Sequence, residues 1–240
     1  FHVNRVWIAG ELTAEEGTYL QEVHLHDISS VKGSVVVEDF SKEKFKMHLK
    51  SGHVHVIGIL PGGVVTKKET ADIQLDENGE FVRDPKVDIV KTAVVERHQG
   101  TGNVACGFLK GYGIKEGAVA LSIAHDSHNI IVVGVSDEEM EAAVNALIAQ
   151  EGGIVLVKDG QVIESMPMPI AGLMSDCSGE WVDQKLTDIH EKAYSELGIC
   201  GDVEPVMTLC FMSLAVIPEI KLTDMGLFDV TTFSFISTEA

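Results

Sequence analysis

The chain has 240 residues, a hydrophobic content of 45% and a formal net charge of −19. This content supports a buried core, and the length fits one large domain or two modest ones. The acidic balance argues against DNA or another polyanion as a partner, and no apolar run approaches the roughly 18–20 residues of a membrane helix.

Residues 1–82 are predicted to form a β-rich segment. Gly10 indicates a tight hairpin turn, and Asn78-Gly79 indicates a second hairpin because this pair accepts positive φ angles. Pro85 removes a backbone donor, so a domain boundary is predicted between residues 82 and 83. Short Val- and Ile-rich runs predict strands at residues 5–9, 35–37, 54–59 and 63–66.

Residues 83–240 are predicted to form an α/β domain, which makes the chain a mixed α/β protein. Ser136 and Glu139 have the spacing of a capping box and predict the start of a helix. The other predicted elements are strands at 88–96, 118–124 and 130–135, a hairpin of 154–157 with 162–165, and helices at 104–111 and 180–197. The predicted core consists of Val94, Val119, Leu121, Ile131, Val133, Val144, Leu147 and Val155.

A run of five polar residues separates two of the predicted buried strands. Such groups need hydrogen-bond partners, or they cost about 1–3 kcal/mol each. The pattern fits either a solvated loop or one wall of a polar ligand pocket. A Ser-His-Asp triad is excluded, because adjacent side chains diverge. The run consists of His125, Asp126, Ser127, His128 and Asn129.

A second polar segment, residues 96–103, includes His98 and contains a Gly-x-Gly turn that is predicted to open a helix at Val104. The backbone N–H groups at such a helix start can hold an oxyanion. The pattern lacks the third Gly of a dinucleotide-binding fingerprint, and a simple turn with a helix cap explains it equally well.

Two H-x-H pairs, His24 with His26 and His53 with His55, have the spacing of metal ligands on a strand. No third ligand is evident from their spacing. Histidines alternating along a half-exposed strand are the favoured interpretation.

The four cysteines form no C-x-x-C pair, which is typical of free thiols in a reducing cytoplasm. No secretory signal opens the chain. Because the first residue is Phe1 and not Met, we expect a further segment before it.

Four blocks, in their order and separation, resemble the C-terminal half of bacterial adenine deaminases. They are residues 98–103, 122–129, 169–176 and 223–230. Residues 6–17 resemble the β-segment that follows the catalytic barrel in amidohydrolases.

This resemblance implies metal-assisted hydrolysis of adenine to hypoxanthine and ammonia in purine salvage. In the family, the ligands of the divalent metal, manganese or iron, lie on the barrel. No barrel is encoded here, so we expect this chain to be a fragment that binds no catalytic metal. We expect adenine to be the small-molecule partner of the full-length enzyme. We also expect a homo-oligomer.

Within this fragment, we expect His125 and Asp126 to act in catalysis, and the remaining polar residues to contact the substrate. Those residues are His98, Ser127, His128 and Asn129. The alternative is a non-catalytic module for small-molecule binding or oligomerisation.

Overall fold

The computed structural model describes residues 1–22, 24 and 26–240, which divide into two compact units, Phe1–Ser30 and Val31–Ala240. The first unit contains an antiparallel sheet of β1 (Arg5–Ile8), β2 (Glu11–Glu15) and β3 (Thr18–Tyr19). Gly10 lies at the turn between β1 and β2 with a φ of +86°, as the predicted hairpin requires.

The second unit is built on an eight-stranded sheet with the spatial order β13-β12-β10-β11-β8-β9-β4-β5. Neighbouring strands are antiparallel except for the parallel pair of β4 with β9. In chain order these strands are β4 (His53–Ile59), β5 (Thr66–Asp72), β8 (Ile89–Val95), β9 (Val104–Lys110), β10 (Ala118–Leu121), β11 (Ile130–Gly134), β12 (Gly153–Lys158) and β13 (Gln161–Pro167).

Smaller elements complete this unit. The predicted Asn-Gly turn joins β6 (Gln74–Leu75) to β7 (Phe81–Val82), and three further strands form a small antiparallel sheet. These strands are β14 (Ile220–Thr223), β15 (Gly226–Asp229) and β16 (Ser234–Ile236). The helices are α1 (Asp137–Ala149), α2 (Gly179–Ser195) and α3 (Pro205–Cys210).

Strands β10 and β11 are apolar along their whole length because both faces of the sheet are covered. Alternate residues of β10 show this: Val119 and Leu121 pack in a core with α2, α3 and the small sheet, whereas Ala118 and Ala120 pack in a core with α1. All eight predicted core residues are buried, and they divide between these two cores.

Both predicted long helices are present and capped. The Ser136 hydroxyl accepts a hydrogen bond from the Glu139 N–H at the start of α1, and Ser178 caps α2 in the same way. The sequence analysis missed α3. Among the described residues, no helix has the length and apolar character needed to cross a membrane.

Three predicted elements are wrong. Residues 104–111 were expected to be helical, but residues 104–110 form strand β9, which pairs along its length with β8. A short apolar run fits a buried strand or a buried helix equally well. Here the run is a strand because it pairs antiparallel with β8. Residues 35–37 form no strand, and of residues 63–66 only Thr66 belongs to one.

The compact units differ from the predicted division between residues 82 and 83. Strands β4 and β5 lie before that point, yet β4 pairs with β9, which lies after it. Pro85 therefore lies in a connection within one unit. The assignment of residues 1–82 to a post-barrel β-segment of a longer protein stays a prediction.

We predict that Ser136→Ala lowers the free energy of unfolding by about 1 kcal/mol, because the first turn of α1 loses its side-chain acceptor. Ser195→Ala, in the last turn of α2 at an exposed position, is the matched control and should change stability by less than about 0.5 kcal/mol. Denaturant unfolding measures both variants, and equal losses would contradict a specific cap at Ser136.

Candidate functional site

The polar run of residues 125–129 lies in the loop that joins β10 to β11, as predicted. Asp126 and Ser127 are exposed, His125 and His128 are half-buried, and Asn129 is buried. The exposed groups can meet a ligand, whereas the buried amide must be satisfied within the protein.

The loop between β8 and β9 is organised around the carboxylate of Glu96. It accepts hydrogen bonds from the N–H groups of His98 (2.5 Å), Gln99 (2.9 Å) and Thr101 (3.0 Å) and from the Thr101 hydroxyl (3.0 Å). The sequence left open an anion-binding turn or a simple turn with a helix cap, in either case before a helix at Val104. The turn does hold an anion, but the anion is the protein's own carboxylate and a strand follows.

The two loops meet at His98. Its Nε2 lies 2.7 Å from the Ser127 carbonyl oxygen, and because a carbonyl only accepts, Nε2 carries the proton. The rings of His125 and His128 have centroids 5.4 Å apart, and the His125 ring lies 4.8 Å from that of Phe211. The loop that carries His98 and the residue 125–129 loop therefore lie side by side.

The buried guanidinium of Arg97 ties three segments to one point. It donates hydrogen bonds to the carbonyl oxygens of Ser34 (3.3 Å), His128 (2.5 Å) and Ala171 (3.1 Å). Only 1% of the residue is exposed, and burial lowers its pKa from the usual value. A Cβ atom at Gly172 would lie 2.7 Å from the guanidinium, so glycine is required there.

Two further buried side chains link the same region. The Ser122 hydroxyl donates to the Gly172 carbonyl oxygen (2.6 Å) and accepts from the Gly153 N–H (2.7 Å). The Asn129 amide donates to Asp224 (3.1 Å) and accepts from the backbone N–H that follows Glu96. Asn129, which we expected to contact substrate, thus has both ends of its amide bonded inside the protein.

These hydrogen bonds join all four blocks that carry the family resemblance. Residues 98–103 and 169–176 are each bonded to 122–129, through Ser127 and Ser122, and 223–230 is bonded to it through Asp224. Segments distant in sequence therefore form one cluster at the ends of β8 and β10. We call it the loop cluster.

His128 has a distinctive environment in the loop cluster. Its pKa is lowered by burial and by the nearby His125, Arg97 and His98, against a smaller opposing effect of Asp126. The ring is therefore neutral at pH 7. Its Nδ1 atom is buried and has no hydrogen-bond partner among the described residues.

The residues present do not fit a resident metal ion. Within residues 1–22, 24 and 26–240, no three His, Cys, Asp or Glu side chains are grouped closely enough to hold one. In the second H-x-H pair, His53 bonds the Asp72 carboxylate (2.8 Å) and His55 bonds a backbone carbonyl (3.1 Å). Among the same residues, no third ligand joins His24 and His26.

Glu96 and Arg97 belong to the second candidate segment of the sequence, but no individual role was predicted for them, nor for Phe211 or Asp224. One signal was available: Glu96-Arg97 is a charged pair that directly follows the largely apolar strand β8. Charged residues at that depth need partners from other segments. Which segments supply them depends on the sheet topology, which residue spacing does not reveal.

The comparisons with known proteins agree with one another. Residues 63–234 match the family model described as adenine deaminase C-terminal domain. The chain is 66% identical over 238 residues to adenine deaminase 2 of Desulfotalea psychrophila and 47% identical over 239 residues to adenine deaminase of Ligilactobacillus salivarius. These alignments cover 99% and 100% of this chain but 41% of each relative, so the chain spans about two fifths of their length.

We predict that Glu96→Gln destabilises the second unit by about 1–3 kcal/mol at pH 7, because the charged acceptor of the β8–β9 loop is lost. Glu191→Gln, at an exposed position on α2, is the matched control and should have little effect. Chemical unfolding followed by circular dichroism measures both. A loss no larger than that of the control would contradict the role of Glu96.

The same substitution should also make the free energy of unfolding less dependent on pH in the acid range. Burial, the largest single influence, raises the pKa of Glu96, but the hydrogen bonds from Thr101, Gln99 and His98 together outweigh it and lower the pKa from 4.5 to about 2. A depressed folded-state pKa stabilises the fold above the unfolded value and loses that effect as pH falls toward 2. The difference in the free energy of unfolding between wild type and Glu96→Gln should therefore be constant above about pH 6 and shrink below pH 4.5.

Proposed function

Because this chain belongs to the family of adenine deaminase C-terminal domains, we propose that it is the C-terminal part of an adenine deaminase. The longer protein would hydrolyse adenine to hypoxanthine and ammonia. The observation that carries the proposal is the loop cluster, in which all four resembling blocks meet around the residue 125–129 loop.

The loop cluster offers groups that match the polar edge of adenine. The ring nitrogens of adenine accept hydrogen bonds, and its amino group donates them. Since Nε2 of His98 donates to Ser127, the Nδ1 atom of that ring, when it carries no proton, is an acceptor suited to the amino group. The exposed Ser127 hydroxyl can donate to a ring nitrogen, and the neutral His128 ring adds a further site.

Hydrolysis requires proton movement as well as recognition. Water adds to the ring carbon that bears the amino group, and the amino nitrogen must gain a proton before it leaves as ammonia. We assign this transfer to His125, because an imidazole exchanges protons near neutral pH. The carboxylate of Asp126 lies 3.8 Å from His125 Nδ1, close enough to form an ion pair with the ring while the ring holds the transferred proton.

Asn129 has a supporting role in this proposal. Its buried amide fixes the loop to Asp224 and to the backbone at Arg97, so that His125 and Ser127 are held at the surface. A site supported by a rigid second layer loses less conformational entropy when substrate binds.

We assign the divalent metal, manganese or iron, to a barrel in the part of the longer protein outside this chain. The described residues contain no group suited to hold it. The contribution of this chain is therefore to bind and orient the base and to move a proton.

An exposed apolar strip beside the loop cluster supports the idea that this face is covered in the longer protein. Met225 and Phe233 are each 71% exposed and Phe235 is 52% exposed. Met225 follows Asp224 of the loop cluster, and the Phe235 and Phe233 rings both pack against Phe228. Exposed apolar patches of this kind mark contact surfaces. We propose that the barrel-bearing part covers the strip and closes the site.

The cellular setting belongs to the same proposal. We place the longer protein in the cytoplasm, where it would act in purine salvage with adenine as its small-molecule partner. We also expect it to form a homo-oligomer. All four cysteines are free thiols, which suits a reducing compartment.

In the full-length enzyme, we predict that His125→Ala and Asp126→Ala each lower the rate of adenine deamination at least about tenfold, equivalent to about 1.4 kcal/mol of transition-state stabilisation. Stability should change little, because both side chains are at least partly exposed. His53→Ala and Asp183→Ala, outside the loop cluster, are the controls and should retain wild-type kinetics. Wild-type kinetics in both loop-cluster variants would support a non-catalytic module instead.

We also predict that residues 1–240 alone bind no stoichiometric catalytic metal and do not deaminate adenine, since no grouped ligands are found among the described residues. Metal analysis of the purified chain and an assay for ammonia release measure this. One or two tightly bound divalent ions per chain together with adenine turnover would overturn the assignment of the metal to another part of the protein.

A further inference from the structure

An open cavity of about 460 Å³ lies at the opposite end of β8 from the loop cluster. Three segments form its walls: residues 83–88 before β8, residues 113–115 after β9, and residues 198–201 after α2. Strand β8 has seven residues, so it separates the cavity from the loop cluster by roughly 20 Å. The cavity is thus a separate site.

Three cationic side chains line this cavity, Arg83, Lys86 and Lys115, although the chain carries a net charge of −19. Ten of the 18 Lys and Arg residues have a carboxylate within 4.0 Å. The three at the cavity belong to the other eight, for which the described residues supply no such partner. Three of these eight cations therefore line one cavity, in a chain with about twice as many acidic as basic residues.

Arg83 is held in the wall of the cavity before any ligand arrives. Its Nη2 donates to the Ile114 carbonyl oxygen at 3.0 Å, which fixes the guanidinium. Its Nε atom is buried and has no hydrogen-bond partner in the described part of the chain. The Nη1 group makes no hydrogen bond in the described part of the chain either and, unlike Nε, is not buried, so it can donate to an anionic ligand oxygen in the cavity.

The charges around the cavity define the ligand that it suits. Asp88 is the acidic residue in the lining, and one of its oxygens accepts from the Gly113 N–H at 3.0 Å. Three cations and one carboxylate leave two positive charges, which balance a phosphate monoester of about −1.5 to −2 at pH 7. Val87, Ile114 and Ile199 supply an apolar wall for the organic part of such a ligand.

We propose that this cavity binds a small phosphate monoester. The guanidinium of Arg83 and the ammonium groups of Lys86 and Lys115 contact the phosphate, and the apolar wall contacts the attached group. The site has no part in the proposed deamination, so either proposal can fail without the other.

Isothermal titration calorimetry of the 240-residue chain at low salt tests this with three probes: phenyl phosphate, inorganic phosphate and phenol. Phenyl phosphate should bind most tightly, inorganic phosphate more weakly, and phenol not measurably at concentrations up to about 10 mM. Amide NMR shifts on titration should concentrate at Gly113, Gly198 and Gly201, which line the cavity.

Charge variants give the sharpest discrimination. Lys86→Gln and Lys115→Gln should each weaken phenyl phosphate binding at least about fivefold, and Asp88→Asn should strengthen it, because it removes a repulsive charge. Lys67→Gln removes an exposed lysine of β5 without a carboxylate partner and is the control with the same net charge. Absence of saturable phosphate binding, or equal weakening by Lys67→Gln, would overturn the proposal.

Discussion

The loop cluster depends on one buried cation, the guanidinium of Arg97. Its hydrogen bonds to carbonyl oxygens of residues 34, 128 and 171 hold together three segments that no strand pairing joins. A buried charge is costly unless each of its donors is satisfied, so the segments cannot separate without leaving the cation unpartnered. The positions of His125 and Ser127 follow from this constraint, because the loop that carries them ends at a carbonyl bonded to Arg97.

The sheet supplies the scaffold on which this cation acts. Since β10 and β11 are apolar on both faces, the polar side chains of residues 125–129 lie in the loop between these strands. Antiparallel pairing of β11 with both β10 and β8 then brings the end of β8 beside the start of β11. The contact between His98 and Ser127 results from this strand order, β10-β11-β8.

Features encoded by neighbouring residues could be predicted from the sequence. The Ser136 cap, the Asn78-Gly79 hairpin and the buried strands around residues 118–135 depend on local patterns, and the structure has them. Strand β9 could not be predicted, because a short apolar run becomes a strand only once β8 is available to pair with it. The His98–Ser127 contact joins residues 29 positions apart, and the partners of Arg97 lie 31 to 74 positions away, so both depend on the sheet topology, which residue spacing does not reveal.

The carboxylate of Glu96 has a consequence for the charge of any ligand that approaches the loop cluster. The N–H groups that could have received an external anion are already bonded to it, and Asp126 and Asp224 add two more carboxylates nearby. A nucleotide brought to this loop would carry its phosphate toward like charge, whereas a free base would not. If the loop cluster binds the base as proposed, these carboxylates disfavour a phosphorylated ligand relative to the free base.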